Sequence, residues 1–80
     1  MKIFILTEGG SKIGAGHVTR CLSLYQAFLE LSYDIKIIVN GDEGIKKTLG
    51  NTNYLICDWL NNPNLIFNLI EKEDIIIIDS

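Results

Sequence analysis

Hydrophobic residues along this 80-residue chain gather in four short runs, at 3–6, 35–39, 54–57 and 75–78. Most are nearly continuous rather than alternating, the pattern of strands covered on both faces of a parallel sheet. Between the first two runs the period changes to that of a helix, over about 17–31. Val18, Leu22, Tyr25 and Leu29 form a stripe there, with Cys21 and Phe28 beside it. A shorter helical stretch at 43–49 leads into the third run and is expected to stop at Gly50. A third, over 61–72, precedes the fourth run. Pro63 suits its first turn, and Leu65 and Leu69 are expected to lead its inward face, with Ile66 and Ile70 next to them. The resulting order is β-α-β-α-β-α-β. It predicts an α/β fold, a Rossmann-like parallel sheet joined by right-handed crossovers. No internal repeat, low-complexity segment or linker interrupts it.

Composition agrees with a packed core. The chain is 48% hydrophobic with one proline, and its mean hydropathy is +0.24; disordered chains need the opposite balance. The longest unbroken isoleucine run has four residues, far short of a membrane span. The apolar stretch after Met1-Lys2 meets Glu8 too soon for a signal peptide, so the cytoplasm is the default expectation. A net charge of −3 with scattered basic residues argues against a nucleic-acid surface. Cys21 and Cys57 have no CxxC spacing, and one histidine with two distant cysteines does not make a zinc set. Free buried thiols are expected, and no metal or cofactor. The last strand, ending at Asp79-Ser80, would leave apolar surface uncovered if nothing followed. The chain therefore reads as part of a larger domain, with an aggregation-prone fourth strand when isolated.

Chemistry is concentrated after the first strand, in Thr7-Glu8-Gly9-Gly10-Ser11-Lys12-Ile13-Gly14-Ala15-Gly16-His17. Glycines there permit close backbone approach to a ligand, and amides at the start of the next helix favour anionic groups. Two familiar phosphate motifs fail. Gly9 and Gly14 have P-loop spacing, but Ala15-Gly16 stands where Lys-Ser/Thr is required. Gly14-Ala15-Gly16 opens a GxGxxG, yet Thr19 replaces the third glycine and the second strand lacks a ribose-binding acid. His17, the only histidine, opens the first long helix. Position alone leaves two readings: a polar residue bonded to nearby backbone, or a site residue on a functional loop. The positive end of the helix dipole disfavours imidazolium, which suits a neutral base.

The stretch Gly10-Ser11-x-Ile13-Gly14-x-Gly16-His17-x-x-Arg20-Cys21-Leu22-x-Leu24 resembles the start of the UDP-2,4-diacetamido-2,4,6-trideoxy-β-L-altropyranose hydrolases of pseudaminic acid biosynthesis. That family is similar in fold to GT-B glycosyltransferases such as the lipid II synthase. The resemblance covers about fifteen positions; the rest of the chain matches in βα layout only. It implies that residues 1–80 are part of an amino-terminal Rossmann-like domain of GT-B type, with the UDP-binding carboxy-terminal domain absent. It also implies a metal-independent hydrolysis of a UDP-sugar, inverting at the anomeric carbon, with His17 as the base. Gly14, Ala15, Gly16, Arg20 and Ser11 are the candidate substrate contacts, and the complete enzyme is expected to be a monomer. A glycosyltransferase using the same loop, or a non-catalytic binding half-domain, are the competing readings. Arg20 could contact phosphate or sugar, or pair with Glu8. Asp58 and Asp79 follow the third and fourth runs and could face the same cleft or cap the next segment. Trp59 is expected to pack rather than stack on a sugar.

Overall fold

The computed structural model describes residues 1–79; Ser80, which closes the sequence after the fourth strand, lies outside them. Four strands form one parallel sheet: β1 (Lys2–Gly9), β2 (Asp34–Gly41), β3 (Tyr54–Ile56) and β4 (Ile75–Asp79). Three helices lie between them, α1 (Gly16–Glu30), α2 (Lys46–Leu49) and α3 (Asn64–Leu69), and a 3₁₀ turn at Glu43–Ile45 leads into α2. The strand order is β3-β2-β1-β4. The fold is thus α/β and Rossmann-like, as the alternation of periods predicts. Among the described residues, no helix is long and apolar enough to cross a membrane.

Residue parity separates two cores. Odd positions of β1 and β2 (Ile3, Ile5, Ile35, Ile37, Val39) pack with Val18, Cys21 and Tyr25 of α1 and with Ile45 and Leu49. Even positions (Phe4, Leu6, Ile38) pack with Trp59 and Ile66. Side chains alternate across a strand, so an unbroken apolar run feeds both layers. β1 and β2 are buried accordingly, from Ile3 to Leu6 and at Ile35 and 37–39. β3 and β4 are not: as the outer strands of the described sheet they are partly exposed, and Ile75, Ile76 and Ile78 face solvent. Only Ile77 of β4 packs on the α1 core.

The helices correct two details. In α1 the inward stripe is Val18, Cys21 and Tyr25, with Leu22, Leu24 and Phe28 packed at its margin, whereas Leu29 is exposed. The helix ends at Glu30, so Leu29 sits in its last turn, past the sheet-facing stretch. Around α3 the inward residues are Ile66 and, just past the helix end, Ile70, not Leu65 and Leu69, which are 46% and 37% exposed. The helix is six residues long, capped at Pro63. A helix this short has a single buried line, and Ile66 lies on it. Gly50 stops α2 at φ 57°, in the left-handed region that glycine tolerates. Trp59 is buried and donates its indole N–H to the Thr7 carbonyl at 2.9 Å, so it serves packing.

Truncating Ile66, 6% exposed, to alanine should cost about 2–5 kcal/mol. Leu65→Ala should cost less than about 1 kcal/mol. Urea unfolding midpoints of the two variants measure the difference, and equal losses would contradict the assigned phase of α3.

Candidate functional site

The site follows from the strand order. The chain leaves β1 for β2 and β3 on one side, then returns through α3 to place β4 on the other side of β1. The carboxyl ends of β1 and β4 therefore form a topological switch point, where open α/β sheets leave a crevice. Three side chains meet there. His17 and Arg20 lie one turn apart at the start of α1. Asp79 ends β4, paired in register with Thr7.

Arg20 grips the carboxylate with both arms of its fork. Its Nε donates to Asp79 Oδ2 at 3.1 Å and its Nη2 to Oδ1 at 2.9 Å. The same Nη2 lies 2.6 Å from His17 Nδ1, and that Nδ1 is 3.1 Å from Asp79 Oδ1. Two partners thus compete for one ring nitrogen. If Nδ1 carries the proton it donates to Asp79; if it is bare it accepts from Arg20. Nε2 makes no hydrogen bond among the described residues. The imidazole is one-third exposed and the Arg20 side chain 60%, so both are reachable from solvent. The hydrogen bonds from Arg20 above all hold the Asp79 carboxyl at about 2. The carboxylate in turn raises the Arg20 guanidinium. Cys21, beneath them at 3.9 Å from Asp79 Oδ2, is pushed up by burial and stays a thiol.

The α1 amino terminus is open. Ala15 at its cap makes no side-chain hydrogen bond and no acidic residue occupies the first turn, so its first amides are available to an anion. The preceding loop is closed on itself: Gly10 N–H donates to the Gly14 carbonyl at 3.1 Å, and Gly14 N–H to the Gly10 carbonyl at 2.8 Å. Gly14 has φ 87°, which explains its identity. Gly16 is different. Its φ is ordinary and an added Cβ would meet nothing within 4 Å, so neither conformation nor packing requires a glycine there.

Of the residues singled out in the sequence, the structure gathers His17 and Arg20, with Gly16 and Ala15 at the adjoining helix start. Ser11 is engaged elsewhere. Its hydroxyl donates to Asp42 Oδ2 at 2.6 Å, and this bond, with backbone N–H groups of Ser11 and Gly44, lowers the Asp42 carboxyl. The Ser11–Asp42 link joins the glycine loop to the end of β2, beside a cavity of about 300 Å³ lined by Gly9, Gly10, Lys12, Ile13, Asn40, Gly41 and Asp42. Arg20 pairs with Asp79 rather than Glu8, because β4 brings Asp79 alongside the first turn of α1. Asp58 is only a local cap, accepting from Asn61 N and Nδ2 at 3.1 and 2.7 Å. Asp42 drew no attention in the sequence, although Gly41-Asp42 after an apolar run marks a strand end. Thr7, which opens the glycine-rich stretch, is a lone hydroxyl in an apolar strand, fully buried, and its Oγ1 has no hydrogen-bond partner among the described residues. No three His, Cys, Asp or Glu among the described residues come together as a metal set.

Fold and site together define a Rossmann-like α/β unit with a histidine–arginine–aspartate cluster at its switch point. No family model and no solved structure matches the chain. It is similar to an uncharacterized protein of Methanocaldococcus jannaschii, MJ1062, with 31% identity over 81 residues, covering 99% of this chain and 17% of that protein. The chain therefore spans about 17% of the length of that curated relative.

Two outcomes test the cluster. Asp79 should stay ionised until the pH falls to about 2. Because its folded value lies below the ordinary value near 3.9, it stabilises the fold above about pH 4, and that contribution is lost as pH falls through about 2. In Arg20→Gln the titration, followed by carboxyl ¹³C NMR, should move up toward the ordinary range. An unchanged midpoint would mean that Arg20 does not hold the carboxylate. Separately, Gly16→Ala should leave thermal stability unchanged or raised by up to about 1 kcal/mol, since alanine suits a helix better. A clear loss of stability would show a structural demand for this glycine.

Proposed function

We propose that this chain is the amino-terminal part of a nucleotide-sugar hydrolase, releasing UDP from a 2,4-diacetamido-2,4,6-trideoxyhexose in pseudaminic acid biosynthesis. The observation that carries the reading is the contact between His17 Nδ1 and Asp79 Oδ1 at 3.1 Å, at the switch point and beside an open helix terminus. A carboxylate behind one ring nitrogen orients the imidazole and stabilises the cation formed when the other takes a proton. In that arrangement Nδ1–H donates to Asp79 and the Nε2 lone pair faces the crevice. Water hydrogen-bonded to Nε2 attacks the anomeric carbon from the face opposite UDP. The new C–O bond forms as the bond to the UDP oxygen breaks, UDP leaves with that electron pair, and the water proton passes to His17. The sugar is released with inverted configuration.

The open amides of α1 and the Arg20 guanidinium supply positive charge where the diphosphate carries negative charge. The glycine at position 16, which the fold does not need, leaves room for a ligand to lie against the backbone. The sugar class rests on the fifteen-position resemblance around His17.

The test is made on the full-length protein. His17→Asn should lower turnover by about 10²–10⁴-fold, the usual contribution of a general base, with UDP affinity changed far less. Hydrolysis in ¹⁸O water should put the label on the sugar hydroxyl. Label in UDP would mean attack at phosphorus, and transfer to an acceptor sugar without hydrolysis would mean a glycosyltransferase. Near-normal turnover of His17→Asn would dismiss the base by itself.

A further inference from the structure

Arg20 Nη2 donates to Asp79 Oδ1 at 2.9 Å and stands 2.6 Å from His17 Nδ1. An Nδ1 that accepts from a guanidinium cannot also bear a proton, because two N–H groups would then confront each other at the shortest contact in the cluster. Because the contact to Arg20 is the shorter of the two that Nδ1 makes, the arrangement favours a neutral ring with its proton on Nε2, on the far side of the ring from Arg20. In this state His17 is a hydrogen-bond donor toward the crevice and has no lone pair to offer water.

Resting on the hydrolase reading above, we infer that Arg20 is a positioning residue that holds His17 in the inactive tautomer until the diphosphate of the substrate draws its guanidinium away. The exchange is local. Guanidinium pairs bidentately with carboxylate and with phosphate alike, but Arg20 is largely exposed and a diphosphate brings more negative charge than the single Asp79 carboxylate. Once Nη2 leaves Nδ1, the 3.1 Å contact from Nδ1 to Asp79 Oδ1 becomes the better place for the ring proton. The proton moves from Nε2 to Nδ1 by exchange with solvent, and the Nε2 lone pair is exposed only when a diphosphate is present. The enzyme's base is thereby armed by the group that is to leave.

The tautomer can be read directly. Two-bond ¹H–¹⁵N correlation spectra of the full-length protein at pH 8, with the His17 ring assigned through His17→Asn, distinguish a proton on Nδ1 from one on Nε2. The free protein should show Nε2–H, and saturating UDP or inorganic diphosphate should convert it to Nδ1–H. Arg20→Gln should show Nδ1–H without ligand, with a KM raised about tenfold or more by loss of the phosphate contact. Arg20→Lys keeps the charge but lacks the fork; it should show the same ligand-free tautomer as Arg20→Gln with a smaller rise in KM. Nδ1–H in the free wild-type protein, no change on adding UDP or diphosphate, or an Arg20→Gln ring identical to wild type would each overturn the inference. These spectra do not depend on turnover. A ligand-driven switch in a protein whose His17→Asn variant hydrolyses normally would dismiss the hydrolase base and leave the switch standing.

Discussion

Because β1 is hydrogen-bonded along both edges and apolar on both faces, every other element has to be arranged around it. Its odd residues need a cover on one face and its even residues a cover on the other. α1 supplies the first, and Trp59 with Ile66 of α3 supplies the second. A helix that leaves β1 on one side and another that returns on the opposite side force the chain to change direction beside β1. The switch point at the carboxyl ends of β1 and β4 is a consequence of that burial. A side chain at the first turn of α1 and one at the end of β4 then meet as a matter of topology, although 62 residues separate His17 from Asp79.

Within the crevice, one carboxylate organises the chemistry. Asp79 accepts from Arg20 twice and stands against His17, and its charge offsets the positive end of α1. Without it, guanidinium and helix terminus would leave His17 in a field of one sign. With it, the same positive groups remain nearby but the imidazole has a partner for either protonation pattern. The buried Cys21 thiol lies beneath the cluster, 3.9 Å from Asp79 Oδ2.

Most of the fold could be read from periodicity, since strand and helix repeats differ and β1 and β2 are buried on both faces as their unbroken apolar runs imply. The phase of α3 could not, because Leu65, Ile66, Leu69 and Ile70 are all strongly apolar and only the packing against the sheet distinguishes them. The exposure of β4 was partly foreseen from its all-isoleucine composition. In the site, His17 and Arg20 were visible through their spacing after a glycine loop. Asp79 was visible only as one of two acids at strand ends, and nothing local distinguishes it from Asp58, which merely caps a turn. The difference lies in strand order: β4 neighbours β1, β3 does not.

The glycine loop has a further consequence, for how this protein can vary. Residues 10 and 14 are locked by a reciprocal pair of backbone hydrogen bonds, and Ser11 is tied to Asp42 at the far side. The segment is therefore pinned at both ends and in the middle. Gly9 and Gly41, which end the β1–β2 ladder in register, add a third restraint, since a side chain at Gly41 would run into the Gly9 carbonyl. An inserted or deleted residue between 10 and 14 cannot be absorbed by looping outward, as it can in an ordinary surface turn. It would rotate the start of α1 and swing His17 away from Asp79. The number of residues between 10 and 14 is thereby fixed by the hydrogen bonds that close the loop.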